Sequence, residues 1–160
     1  MEIKPVQANM MAKLVWDDQY SIGIKEVDDQ HRVLFDYINE LRDIMLGNKP
    51  PEIIEKTFHS ILNYTVTHFL DEEVLLYQNE YPDYEEHKRV HDEFLNEIKS
   101  LYVRFRAGDP LASGRIVSAE ITAILTEWIQ VHIMEADKKY AVYFRNAGIK
   151  INTVIFDKQG

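Results

Sequence analysis

His68–His91 reads HFLDEEVLLYQNEYPDYEEHKRVH. Two helical stretches meet in it at Tyr81-Pro82-Asp83, where proline cannot continue a helix. Before the break, His68 and Glu72 stand four residues apart; after it, so do His87 and His91. Residues at i and i+4 leave the same helix face. Each limb of this hairpin therefore presents a pair of metal-ligating side chains together. The limbs also come level, because residues equally far from a loop lie at the same height in an antiparallel pair. Glu72 sits about seven residues before the end of its helix, which matches a position near 90 on the next limb, and His87 and His91 bracket it.

The same arithmetic extends outward. Helical periodicity predicts a first helix from about Asp29 to Leu46, with Val33, Leu34, Ile38, Leu41, Ile44 and Met45 as its apolar stripe; Gly47 then Pro50-Pro51 ends it. The second runs from about Pro51 to Asn79. The third spans about Tyr84 to Arg106 and stops at Gly108-Asp109-Pro110. The fourth runs from near Ser113 to about Asp137, and a shorter piece, Lys138 to Asn146, stops at Gly148. Short connections make neighbours antiparallel. The expected fold is all-α: an up-down-up-down four-helix bundle, with an N-terminal arm and a short C-terminal helix. Residues 1–160 form one domain in this reading, with 1–28 as arm, about 29–137 as bundle and 138–160 as short helix and tail. In the arm only Leu14-Val15-Trp16 and Ile22-Gly23-Ile24 look buried; Val154-Ile155-Phe156 packs or hangs free.

Counted from the loops, His31 on the first helix is level with about position 67 on the second, beside His68. His87 and His91 map to roughly 128–132 on the fourth, where His132 stands. A single helical histidine is usually a surface or satisfied core residue; four helices bringing histidines to one level is a different observation. His59, nine residues before His68 and about half a turn around, faces outward. The ligand chemistry narrows next. With no cysteine in the chain, thiolate zinc sites and iron–sulfur clusters are excluded, and imidazole with carboxylate suits Fe, Mn or Zn. A lone zinc takes about four ligands, fewer than five histidines plus carboxylates, so two metals fit better. His87 and His91 enclose Lys88-Arg89-Val90, without the glutamate of a zinc-protease motif. No histidine has glutamate three residues before it, the ferritin-like di-iron signature. A nitrogen-rich pair of irons is expected.

The chain has 160 residues, 46% of them hydrophobic, and a formal net charge of -9. An acidic surface repels phosphate backbones and anionic lipid, so neither nucleic acid nor membrane is an expected partner. No apolar run reaches the roughly 20 residues of a membrane helix, and Met1 to Lys13 lacks a signal-peptide core. The expected location is cytoplasmic.

Taken together, Val27-Asp28-Asp29-Gln30 ahead of His31, His68-x3-Glu72 with Phe69, Tyr81-Pro82 ahead of His87-x3-His91, and Trp128-x3-His132-x4-Asp137 resemble the hemerythrin family, in its single-domain bacterial form. Trp16 and Ile22-Gly23-Ile24 resemble the family's N-terminal arm, so the likeness covers about residues 14–145. It implies a non-heme di-iron site in a four-helix bundle. His87, His91 and His132 would hold one iron (Fe2+/Fe3+), and His31 and His68 the other. Glu72 and Asp137 would bridge them along with an oxo or hydroxo group. Two roughly six-coordinate irons offer about twelve positions; three bridges and five histidines fill all but one, on the two-histidine iron, where O2 would bind. That position needs an apolar lining. Ile129, one turn before His132, and Trp128 are the candidates, with Tyr64 and Phe35 as further ones. The resemblance and ideal geometry disagree at one place: Asp137 is about 140° around an ideal helix from His132, whereas Glu135 is about 60° away. The family pattern points to Asp137, and a local helix distortion would reconcile the two.

The expected function is reversible O2 binding for delivery, storage or sensing, and not catalysis. The alternative is a di-iron enzyme (peroxidase, oxidase or NO-handling), and a third reading is an interaction module with structural metal. Five neutral imidazoles favour ferrous iron, hence reversible binding, and an open metal position argues against a structural role. A monomer or weak homo-oligomer is expected, and a sensor would need a separate protein partner.

Overall fold

In a computed structural model of the chain, described for residues 12–107 and 114–151, the ordered elements are helical. They are a 3-10 turn Asp18–Tyr20, α1 (Lys25–Leu46), a 3-10 turn Pro51–Ile53, α2 (Ile54–Gln78), α3 (Tyr84–Arg106), α4 (Gly114–Val131), a π turn His132–Asp137 and α5 (Lys138–Asn146). α1 packs against α2 and α4, α2 against α3, and α3 against α4. This ring of neighbours is the up-down-up-down bundle. No described helix is long and apolar enough to cross a membrane. The expected break at Gly108-Asp109-Pro110, the start near Ser113 and the tail from Val154 to Phe156 lie outside the described residues.

Helix ends follow local chemistry. α1 begins four residues earlier than the periodicity indicates. Asp28, buried within its first turn, does not cap the helix. Its carboxylate reaches back to the arm, accepting from Ser21 Oγ (2.6 Å) and Ile22 N (2.8 Å). Gly47, left-handed at φ +81°, closes α1 by donating to the carbonyls of Asp43 and Ile44. Glu80 takes the same left-handed region (φ 51°) after α2, and Tyr81 N donates to Leu76 O, so that Pro82 can turn the chain into α3. The expected short C-terminal helix is present with the expected bounds, Lys138–Asn146, and it joins α4 through the π turn: backbone angles at Val131, Asp137 and Lys138 are all helical, so the rod runs unbroken from Gly114 to Asn146. A left-handed Gly148 ends the packing of that rod, with Ile149 N donating to Phe144 O.

The arm is pinned along α1. Ile22 and Ile24 are buried as expected and Leu14 and Trp16 half-buried, but Val15 is exposed and Tyr20 is buried instead. Trp16 and Tyr20 both pack edge-on against Phe35, at 5.3 and 5.0 Å between ring centroids. Asn39 works as a clasp: its Oδ1 accepts from Leu14 N (2.9 Å) and its Nδ2 donates to Leu14 O (2.8 Å). One apolar core fills the bundle, with Ile38, Phe58, Ile61, Ile98 and Ile121 in it together with Leu75, Leu76, Tyr81, Tyr140 and Phe144. Replacing Asn39 by Ala leaves both Leu14 backbone groups without partners and should cost about 1–2 kcal/mol of stability. Denaturant unfolding of Asn39→Ala beside the parent checks this; an unchanged midpoint would show that the clasp carries no stability.

Candidate metal centre

Within this core lie His31, His68, Glu72, His87, His91, His132 and Asp137, all buried. α1 supplies His31, α2 supplies His68 and Glu72, α3 supplies His87 and His91, and the π turn supplies both His132 and Asp137. The donors form two groups, Glu72 with His87, His91 and His132, and His31 with His68 and Glu72, each gathered within 4.8 Å. Glu72 belongs to both. Its Oε2 lies 3.2 Å from the Nε2 of both His87 and His91. Asp137 also faces both groups, with a different oxygen to each: Oδ1 is 3.0 Å from His132 Nε2, and Oδ2 is 3.2 Å from His31 Nε2.

The π turn makes this possible. Five residues separate His132 from Asp137, and a π turn closes on the fifth residue where an α turn closes on the fourth. Glu135, the better candidate on an ideal helix, is exposed. His59 is exposed too, with its Nε2 2.8 Å from Tyr102 Oη, away from the cluster.

The chain's own atoms do not satisfy the cluster. The Nε2 atoms of His91 and His132 face each other at 3.1 Å. Both ring nitrogens of His31, Nε2 of His68 and both oxygens of Asp137 have no hydrogen-bond partner. Orphaned buried donors converging on shared volumes are what a metal-binding set looks like without its ions, and the residues fit such ions. The far ring nitrogens are held instead by protein. His68 Nδ1 is 2.8 Å from Gln30 Oε1, and Gln30 Nε2 donates to Asp71 (2.7 Å). His91 Nδ1 is 3.1 Å from Glu73 Oε1, whose other oxygen is 3.4 Å from Lys88 Nζ. Tyr140 Oη donates to Glu72 Oε1. Sequence reasoning missed Gln30, Glu73 and Tyr140; the first two are each next to a ligand-type residue in sequence, which was the available signal.

Aromatic rings brace the histidines. Phe69 stacks on His91 at 3.7 Å between centroids, and Trp128 stacks on His132 at 4.1 Å. Ile129 is buried, and it and half-buried Trp128 line a small internal cavity with Leu34, Tyr37, Thr65 and Phe94. Phe35 packs against the arm and Tyr64 against Tyr37, so neither of these further candidates lines it.

Electrostatics of the metal-free cluster follow burial first. Burial pushes His68 down to about 3 and also lowers His132. At His91 burial acts in the same direction, but hydrogen bonds to Glu72 and Glu73 with the charges of Glu72 and Asp137 outweigh it, raising it to about 9. Burial favours the neutral form of Glu72 and Asp137, and the charge of Glu72 adds to this at Asp137, yet the facing imidazoles hold both carboxyls below the usual range. Tyr140 is raised well above its ordinary value by burial and by the charge of Glu72, so it stays a donor. At neutral pH, then, a proton on His91 stands in for a cation, and a metal must displace it. Metal affinity should rise about tenfold per pH unit from pH 7 until about pH 9, where His91 is already neutral. Competitive titration of the metal-free chain with a divalent ion at pH 7 and pH 8 checks this; equal affinities would mean that His91 carries no proton.

The comparisons with known proteins agree with this geometry. The family model described as the hemerythrin HHE cation binding domain matches residues 22–143. A bacteriohemerythrin of Pseudomonas aeruginosa (strain LESB58) is 32% identical over 137 residues, covering 86% of this chain and 85% of the relative. One from Stenotrophomonas maltophilia is 33% identical, covering 82% and 81%. The solved structure of a point mutant of hemerythrin superposes with a TM-score of 0.71 at 27% identity, covering 81% of this chain and 95% of that one. With a family match running from the arm into α5, over a bundle that gathers histidines and carboxylates at its centre, this chain belongs to the hemerythrin family.

Proposed function

We propose that the chain binds O2 reversibly at a non-heme di-iron centre. His87, His91 and His132 hold one iron, His31 and His68 the other, Glu72 and Asp137 bridge them, and an oxo or hydroxo group completes the bridge. Arm, bundle and α5 serve the site as one domain. The observation that carries this reading is the double reach of the two carboxylates: Glu72 is common to both donor groups, and Asp137 offers one oxygen to each. When bound, the irons supply the two electrons and the open position that O2 binding uses.

The spacing of the donors suits metal ligation: His132–Asp137, His91–His132, His87–Glu72 and His91–Glu72 are separated by 3.0, 3.1, 3.2 and 3.2 Å, and His87–Asp137 by 3.6 Å. Gln30 and Glu73, through Nδ1, fix the tautomers that leave Nε2 of His68 and His91 free to bind metal. Tyr140 orients Glu72 by its hydrogen bond.

Reversible binding, as opposed to turnover, is supported by the internal cavity. Its lining has no carboxylate, lysine or arginine, so no strong proton donor stands ready to drive a bound oxygen species onward. Ile129 and Trp128 shield it with apolar surface. The family's iron binding and the donor set support the metal; the count of two is the finer part of the proposal.

Two measurements test it. Purified protein should carry two irons per chain and no heme. Iron content should survive His59→Ala and Glu135→Gln but fall by at least one ion in His68→Ala or Asp137→Ala. Equal loss from both pairs, or a single zinc in the parent, overturns the assignment. The reduced protein should be nearly colourless, gain a visible charge-transfer band in air, and lose it under vacuum. Rapid oxidation with turnover of an added reductant would support the enzyme reading instead.

A further inference from the structure

The small cavity beside the cluster has a telling position. Leu34, Thr65, Phe94 and Ile129 each lie three residues from a cluster histidine, namely His31, His68, His91 and His132. They lie after it on α1 and α3 and before it on α2 and α4. Because alternate helices run in opposite directions, all four are displaced the same way along the bundle axis. The cavity therefore sits about one helical turn from the histidine layer, and the histidines themselves do not line it. At about 10 Å³ it has room for about one water-sized group, so a larger ligand reaches it with its outer atom alone.

Its walls are mostly hydrocarbon and aromatic ring, with one exception that matters. Thr65 is 3% exposed, and its Oγ1 has no hydrogen-bond partner. A threonine inside a helix ordinarily satisfies its hydroxyl on a carbonyl of the preceding turn, and this one does not. Valine has nearly the same shape and would fill the place without leaving a buried hydroxyl unpaired. A hydroxyl held this way, one turn from His68 and on the side of the histidine layer that these four residues share, needs an acceptor that enters the cavity.

We propose that Thr65 is the residue that selects the cavity's occupant, donating a hydrogen bond from Oγ1 to a small ligand with an acceptor atom: a diatomic such as O2 or a linear anion such as azide. The inference rests on the O2-binding reading above and adds to it a polar contact in an otherwise apolar pocket. It predicts discrimination against small ligands that lack an acceptor at the outer end.

The test uses Thr65→Val and Thr65→Ser, with azide as the probe. Thermal unfolding of the metal-free chains comes first and does not depend on iron. Thr65→Val should melt at or above the parent temperature, because no protein hydrogen bond is lost. A melting point several degrees lower shows that Oγ1 has a protein partner and overturns the proposal. In the iron-loaded, oxidised protein, Thr65→Val should bind azide about tenfold more weakly, roughly 1.4 kcal/mol, and shift the infrared azide stretch. Thr65→Ser should stay within about threefold of the parent. Unchanged or tighter azide binding in Thr65→Val overturns the proposal. A parent protein that loads iron but binds no azide sinks the O2-binding reading itself, and this is recognised before any variant is compared.

Discussion

Seven donor side chains are buried together at the centre of the bundle, and the protein alone cannot satisfy them. Burying ionisable groups without full pairing is expensive. Yet His31, His68 and Asp137 keep unpartnered atoms in the middle of the core, and two Nε2 atoms of His91 and His132 point at each other. Cations that bind here repay much of that cost, so metal affinity and folding free energy are one quantity read two ways. The rest of the architecture follows from holding this cluster dry and in place. All four helix axes contribute, an apolar core surrounds the donors, and stacked Phe69 and Trp128 leave His91 and His132 little room to turn.

The outer partners make the two halves of the cluster unequal. His91 is backed by a carboxylate, Glu73, whereas His68 is backed by the neutral amide of Gln30. A carboxylate partner raises the basicity of an imidazole more than an amide does. The three-histidine half is therefore the stronger donor set in kind as well as in number. The small cavity lies one helical turn from histidines of both halves, with Leu34 and Thr65 next to His31 and His68, and Phe94 and Ile129 next to His91 and His132. Strong donors on one side and spare capacity on the other suit a centre that takes up a ligand at one end and is anchored at the other.

Much of this was legible in the chain of letters, for reasons that particular residues make clear. Helix length and hairpin arithmetic are set by local rules, so the level of His31, His68, His87, His91 and His132, and the outward phase of His59, followed from counting. What counting cannot see is anything fixed by packing between distant residues. Gln30 meets His68 across a separation of 38 residues, and Tyr140 meets Glu72 across 68. Local propensity also misled once. Asp28 looks like a residue preceding a helix, but tertiary bonds to Ser21 and Ile22 recruit it inside one. At Asp137 ideal periodicity preferred Glu135, and only the resemblance to a family pattern pointed the other way.

The π turn also sets the phase of everything after it. Ile129 and Asp137 both face the interior, yet eight ordinary helical steps would leave them about 80° apart, and seven about 20°. The rod therefore behaves as an ordinary helix into which one extra residue has been taken up between His132 and Asp137. Buried Tyr140, Ala141 and Phe144 keep the phase of the shorter helix. Loss of one residue inside the turn would close it into α-helix, leaving that stripe facing inward and drawn back by about 1.5 Å along the axis. The same loss elsewhere in the rod would rotate everything beyond it by about 100°. In evolutionary terms, the last long helix has one joint at which its length can change by a single residue without turning its core face outward. That joint is also where the second carboxylate is delivered, so a change in chain length and a change in the donor set become a single event.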